Sequence, residues 1–366
     1  VRLARDVSPN PLVSLWSVSL LAVLPVFFFT GFIMTPDALL IACWAATVFY
    51  LHRALVYDQG FAWLGAGFFI GLGMLTKYTM ALLPLTVILY VLFDRDARKW
   101  LFRYQPYLGA AIALLLFSPV IVWNLEHDWV SFSYQSVERA KSSFHFDLPK
   151  QLGSILLLLT PTIAAALFAL PALALNTKTT SATPGRASIR LLLAFMLVPL
   201  AIFLLLSTAR ESKYYWTAPV WLSVIPLLSY LLSSRKDASR LVALFKRAWP
   251  PTILVFLVVY AAILHYWSLG FPTVPYRQNF HLLGWHGFAG QVEQLVDENT
   301  QPGGQPLPVV GLDRHKIASG LTFYRSRLAI ADEDSAASAP VAETTSSHLF
   351  GMNSLMYGFW FPYASY

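Results

Sequence analysis

The chain alternates long apolar runs with short polar breaks. Continuous runs at residues 12–33, 38–56, 106–123, 151–175, 191–208, 217–233 and 251–268 each approach the ~20 residues that a helix needs to cross a bilayer. The stretch 61–93 departs from this pattern. It is too long for one ordinary span and short of the ~40 residues of two full crossings, and Gly71, Gly73 and the Thr76-Lys77 pair interrupt its middle. Arg53 precedes it and Arg95, Arg98, Lys99 and Arg103 follow, so both of its ends belong on the same side and it reads as a hairpin of two short helices. With that hairpin the pattern predicts about nine membrane helices over residues 1–269.

The tail, residues 270–366, changes character. Phe288–Val296 has helical spacing, Leu307–Leu312 reads as a strand, and His315–Tyr324 returns to helix, which predicts a small α/β domain. Low-complexity polar stretches at Asn176–Ser188 and Glu333–Ser347 read as loops.

Composition agrees with the pattern. Of 366 residues 57% are hydrophobic and only 12% charged, and the mean hydropathy is +0.56. The fold class expected is therefore an all-α polytopic membrane protein with that small appended domain. The net charge of +7 does not point to nucleic acid, because the basic residues sit in short loops. Arg2, Arg5, Arg53, Arg95, Arg98, Lys99, Arg103, Lys178, Arg186, Arg190, Arg235, Lys236, Arg240, Lys246 and Arg247 all fall on one side, which becomes the cytoplasm. The opposite side receives the Met34–Asp37 turn, the loop Asn124–Lys150, the loop Thr208–Trp216 and the tail. Cys43 is the one cysteine, so no intrachain disulfide or cysteine-rich metal site can form. The segment Val1–Pro9 has none of the features of a signal peptide, and the natural polypeptide is expected to begin further upstream.

A few polar residues are costly to place in such a chain. Asp37 lies between two apolar runs in FIMTPDALL; it caps a helix, or it binds a metal or a substrate hydroxyl. Lys77, at the apex of the hairpin, snorkels to the headgroup layer or neutralises an anionic lipid head. The loop WNLEHDWVSFSYQSVERAK joins Glu126, His127 and Asp128 to aromatic faces at Trp123, Trp129, Phe132 and Tyr134 and to the cations Arg139 and Lys141. That mixture suits a sugar, whose C–H face stacks on rings and whose hydroxyls meet carboxylates, and it also suits an interfacial aromatic belt.

The ordered segments TPDALL, GLGMLTKYTMALLP, SPVIVWNLEHDW, ESKYYWTAPVWLSVIP and LLGWHGF resemble bacterial members of the GT-C superfamily of membrane glycosyltransferases. Within it the likeness is to glycosyltransferase family 39, the protein O-mannosyltransferases, and to the lipid A aminoarabinose transferases, from about Leu12 to Tyr357. The resemblance implies an inverting transferase of a bacterial inner membrane that moves a sugar from a polyprenyl-phosphate carrier to a periplasmic acceptor. A carboxylate serves as general base there and cations stabilise the leaving phosphate. The family takes that base from an outward loop after its first spanning helix. This sequence goes from its first helix straight to TPDALL, so the first loop and the base are expected to lie upstream of Val1. Asp37 is then a catalytic-site carboxylate other than the base. The resemblance assigns Lys77, Arg139 and Lys213 to the lipid phosphate, with Tyr214 beside them in a Lys/Tyr/Pro pattern ending at Pro219. Glu126 and His127 fall to the substrate, and His127 also to a divalent metal ion, as the lipid A transferases suggest; a structural loop histidine is the other reading. An O-antigen polymerase or ligase, a transporter and a non-catalytic membrane subunit remain the alternatives.

Overall fold

A computed structural model describes residues 1–33, 35–133, 144–170, 185–233, 240–274, 284–301, 304, 307–311, 316–332 and 344–346. The polar stretch 176–184, most of 333–347 and Arg139 lie outside the described residues.

The protein is an all-α polytopic membrane protein. In chain order the first helices are α1 (Arg2–Val7), α2 (Pro11–Val23), α3 (Pro25–Phe32), α4 (Pro36–Tyr57), α5 (Ala62–Thr76), α6 (Leu82–Phe93), α7 (Gln105–Glu126) and α8 (Val130–Ser133). They are followed by α9 (Leu148–Leu159), α10 (Pro161–Leu167), α11 (Arg186–Ser207), α12 (Ala218–Trp221), α13 (Ile225–Ser233) and α14 (Arg240–Leu269). Among the described residues, 4 helices are long and apolar enough to cross a membrane unbroken, at Pro36–Tyr57, Gln105–Glu126, Arg186–Ser207 and Val242–Leu269. Counting each of 3 bent pairs as one span raises the number to 7. The bends are 65° between α2 and α3, 103° between α9 and α10, and 59° between the segments 215–221 and 225–233. Proline explains two of them: Pro25 and Pro161 each open the second helix of a pair, where a missing N–H costs nothing and the preceding residue is steered out of the helical region.

Residues 61–93 hold α5, a 3-10 turn at Tyr78–Ala81 and α6. Lys77 is the residue at which the helix breaks, with φ −162° and ψ 131°. Small residues let α5 approach its neighbours closely, as membrane helices require. A Cβ on Gly67 would collide with the backbone of Gly109 in α7, and one on Gly73 would meet Met80 Cγ at 2.8 Å and Cys43 Cβ at 3.1 Å. The core this creates includes Leu40, Trp44, Leu51, Met80 and Leu83, all fully buried. Elsewhere Ser17 Oγ donates to Ser229 Oγ at 2.9 Å, tying α2 to α13, and Tyr260 Oη donates to the Val23 carbonyl at 2.7 Å.

The chain divides into two compact units, Val1–Tyr260 and Ala261–Tyr366. The division falls inside α14, whereas the sequence pattern draws it after residue 269, where the same helix ends. In the second unit α15 (Trp285–Asn299) packs on α16 (Lys316–Asp332), and β1 (Val309–Gly311) pairs in parallel with β2 (Thr344–Ser346). The Arg325 guanidinium is fully buried there and held by both carboxylate oxygens of Glu293.

Candidate functional site

The first unit keeps its charged side chains at two ends of the helical bundle. One end carries Arg53, Asp58, Asp94, Lys99, Arg103 and Arg190, joined as Arg53–Asp6, Lys99–Asp58, Arg103–Asp58 and Arg190–Asp94. At the other end, Asp37 and Lys77 meet.

Asp37 owes its place to the start of α4. Thr35 is the N-cap, in extended conformation, and Pro36 follows at the first helical position, so Asp37 lands in the first turn. There the helix dipole favours a negative charge. The capping role considered for Asp37 falls instead to the Thr35 position, although the Thr35 side chain makes no capping bond. Lys77 arrives from the break between α5 and the 3-10 turn. Its backbone N–H donates to the Gly73 carbonyl at 3.0 Å and its own carbonyl accepts from Met80 N–H at 3.0 Å. Both strands of the break are thus tied, and the side chain is free to reach across. Lys77 Nζ donates to Asp37 Oδ1 at 2.6 Å. The Asp37 side chain is 8% exposed and that of Lys77 25%. The ammonium also lies 5.2 Å from the ring centroid of Tyr215, within cation–π range. Two residues that the sequence gives separate roles are therefore partners, and an aromatic face closes on the cation.

The residue after Lys77 fixes the break to α7. Tyr78 Oη and Ser131 Oγ are 2.9 Å apart, and Ser131 Oγ donates to Asn124 Oδ1 at 2.8 Å. Asn124, fully buried in α7, donates through Nδ2 to the Val120 carbonyl at 2.8 Å. The Tyr78 ring stacks on Phe132 with centroids 5.3 Å apart. The chain reverses between α7 and α8 through two successive left-handed residues, Asp128 (φ 51°) and Trp129 (φ 55°). Neither is glycine, and such pairs persist where neighbours hold them.

The other candidates spread out. Glu126 ends α7 and is exposed. His127 stacks its ring on Trp123 at 4.2 Å, and its Nδ1 lies 2.7 Å from the Trp123 carbonyl oxygen. Among the described residues no three His, Cys, Asp or Glu side chains group as a metal site would require. Lys213 pairs with Glu211 at 2.7 Å in an exposed position, and that hydrogen bond holds the Glu211 carboxyl below its ordinary range. Tyr214 opens the 3-10 turn Tyr214–Thr217 that carries Tyr215.

The sequence reading missed Asp147. Its carboxylate accepts the Ser212 N–H at 2.8 Å across the bundle end. An Asp just before a Leu-Pro helix start was the available signal, since that is an N-cap position.

Residues 2–123 match the family of dolichyl-phosphate-mannose-protein mannosyltransferases. The chain is also similar to the lipopolysaccharide core galacturonosyltransferase RgtB of Rhizobium johnstonii, 29% identical over 192 residues, which are 50% of this chain and 38% of the relative. The chain thus spans well under half the length of that relative. No solved structure matches. The Asp37–Lys77 pair lies inside the matched segment, and the resemblance drawn from the ordered motifs is borne out: this chain is similar to the dolichyl-phosphate-mannose-protein mannosyltransferases over residues 2–123 and is consistent with the GT-C superfamily.

Proposed function

We propose that the chain is part of an inverting glycosyltransferase that takes a sugar from a polyprenyl-phosphate carrier and passes it to an acceptor on the periplasmic side of a bacterial inner membrane. The observation that carries this reading is the Asp37–Lys77 pair, with its 2.6 Å contact and Tyr215 facing the ammonium. The family match to enzymes named for a lipid-phosphate sugar supports it, as does the gathering of basic residues at the opposite end, which the positive-inside rule makes cytoplasmic.

In this reading Lys77 is the group that meets the phosphate of the donor. A lysine whose side chain is 25% exposed is less hydrated than one at the surface, so a phosphate oxygen gains a strong charge-assisted hydrogen bond. As the sugar leaves, negative charge grows on that phosphate and the attraction grows with it, which lowers the barrier. Asp37 holds Lys77 at the site before the donor arrives and keeps it aimed. Once the phosphate takes the ammonium, the Asp37 carboxylate is left to accept a hydrogen bond from a sugar hydroxyl. Tyr215 shields one side of the cation from water.

The test is sugar transfer from carrier lipid by purified full-length protein, wild type against Asp37→Asn at matched thermal stability. Asparagine fits the same turn and keeps an acceptor oxygen, yet it cannot hold the ammonium as a charge. The expected result is a fall in turnover of at least ~10²-fold. Near-equal rates would remove Asp37 from the mechanism, and a wild type that transfers no sugar from any carrier lipid would remove the function.

A further inference from the structure

The loop that brings Tyr215 to Lys77 is held from a distance. Residues 145–147 run alongside 207–209: His145 N–H donates to the Ala209 carbonyl at 3.1 Å and Asp147 N–H to the Ser207 carbonyl at 2.8 Å. Asp147 occupies the N-cap of α9, where an aspartate ordinarily accepts the free N–H groups of its own helix. Here its side chain makes no such bond. It reaches instead to a residue 65 positions away, where Oδ2 accepts the Ser212 N–H at 2.8 Å. Lys150 Nζ donates to the same oxygen at 3.2 Å, and His145 Nε2 stands 3.7 Å from Oδ1. The Ser212 N–H first, and then Lys150 and His145, hold the Asp147 carboxyl below its ordinary range. Asp147 and Ser212 are both buried, each 5% exposed. Directly after Ser212 come Lys213 and the turn Tyr214–Thr217, which α9 also contacts.

We propose that Asp147 is a positioning residue for the donor site: its carboxylate fixes the loop 207–213, and through it the Tyr215 ring against the Lys77 ammonium. A helix cap forgone in favour of one backbone N–H across the bundle is explained by what that N–H precedes. The negative charge remains well placed, since it lies at the dipole-positive end of α9 even without a capping bond. The kinetic consequence rests on the donor-binding reading above; the structural one does not.

The experiment compares full-length wild type, Asp147→Ala, Asp147→Asn, Tyr215→Leu and the double variant Asp147→Ala/Tyr215→Leu. Amide hydrogen exchange of residues 207–213 is followed by mass spectrometry in detergent. Asp147→Ala is expected to speed exchange there about tenfold, while Asp147→Asn, whose amide oxygen still accepts the Ser212 N–H, keeps most of the protection. In sugar transfer Asp147→Ala should raise KM for the carrier-lipid donor about tenfold with kcat changed less, and Asp147→Asn should recover most of that loss. The double variant should be no worse than Tyr215→Leu alone, because both changes act through one contact. Unchanged exchange in Asp147→Ala overturns the proposal, and so does additivity in the double variant. If the wild type transfers no sugar, the function reading falls and the exchange result decides for or against the clasp by itself.

Discussion

The two ends of the bundle hold their charges in opposite ways. At the basic end the cation of each pair is open to solvent: Arg103 and Asp58 are 39% and 45% exposed, and Arg190 is 51% exposed although its partner Asp94 is 8% exposed. A pair such as Arg103–Asp58 contributes little, because water already solvates both partners and salt screens them. At the other end Asp37 is 8% exposed and Lys77 25%. Such a pair loses hydration that its mutual attraction only partly returns, so apolar residues would often serve stability as well. On the reading proposed above, the exposed cations of the basic end serve topology and the buried pair serves donor binding.

The comparison is broken most directly by deleting one buried partner. Asp37→Ala leaves a partly buried ammonium without its counter-charge, and is expected to cost about 1–3 kcal/mol of stability. The double change Asp37→Leu/Lys77→Met removes both charges and should regain most of that loss while leaving sugar transfer abolished. Thermal unfolding in detergent reads the first quantity, and transfer from carrier lipid the second. A double variant as unstable as Asp37→Ala would mean that the pair is retained for stability after all.

Next in size is the effect on donor binding. Lys77→Met should weaken carrier-lipid affinity by about 1–3 kcal/mol if the ammonium meets a phosphate oxygen. Binding of a fluorescent polyprenyl phosphate to the purified protein measures this. Unchanged affinity would return Lys77 to the snorkelling role that its place in the hairpin also allows.

Much of the fold is legible in the sequence because hydrocarbon imposes a length on every apolar run. Among the described residues, the seven long runs correspond to four unbroken helices and three bent pairs. Thr76-Lys77 marks the break in 61–93, whereas Gly71 and Gly73, expected to interrupt the stretch, lie inside α5, where they let its neighbours pack closely. The site is legible only as separate residues. Asp37 and Lys77 stand 40 positions apart, and no periodicity connects a helix start to a helix break. Tyr215 over Lys77 and Asp147 on Ser212 depend on how loops return across the bundle end, which local pattern does not encode. The pairing of Lys213 with Glu211, two residues away at 2.7 Å, is equally invisible in the Lys/Tyr/Pro pattern.

The smallest expected effect comes from the basic end, where Asp58 accepts hydrogen bonds from both Lys99 and Arg103. These bonds, Lys99 first, hold its carboxyl below the ordinary range despite the opposing desolvation. A carboxyl whose folded value is depressed binds its proton more weakly in the native state than in the unfolded chain. Its stabilising contribution is therefore complete above the ordinary carboxylate value of about 4, and is lost as pH falls through the lowered folded value. Because Asp58 is nearly half exposed, that contribution is limited to within about 1 kcal/mol. Asp58→Asn should remove it at neutral pH, flatten the loss of thermal stability below about pH 4, and leave donor affinity and turnover unchanged. Raising the salt concentration to about 1 M should shrink the difference between Asp58→Asn and wild type, since the Debye length falls to about 3 Å. The Asp37→Asn defect in transfer should persist in the same buffer, because a buried pair is screened much less. A salt-insensitive Asp58, or an Asp58→Asn enzyme with weakened donor binding, would show that the two ends are not divided as their exposure implies.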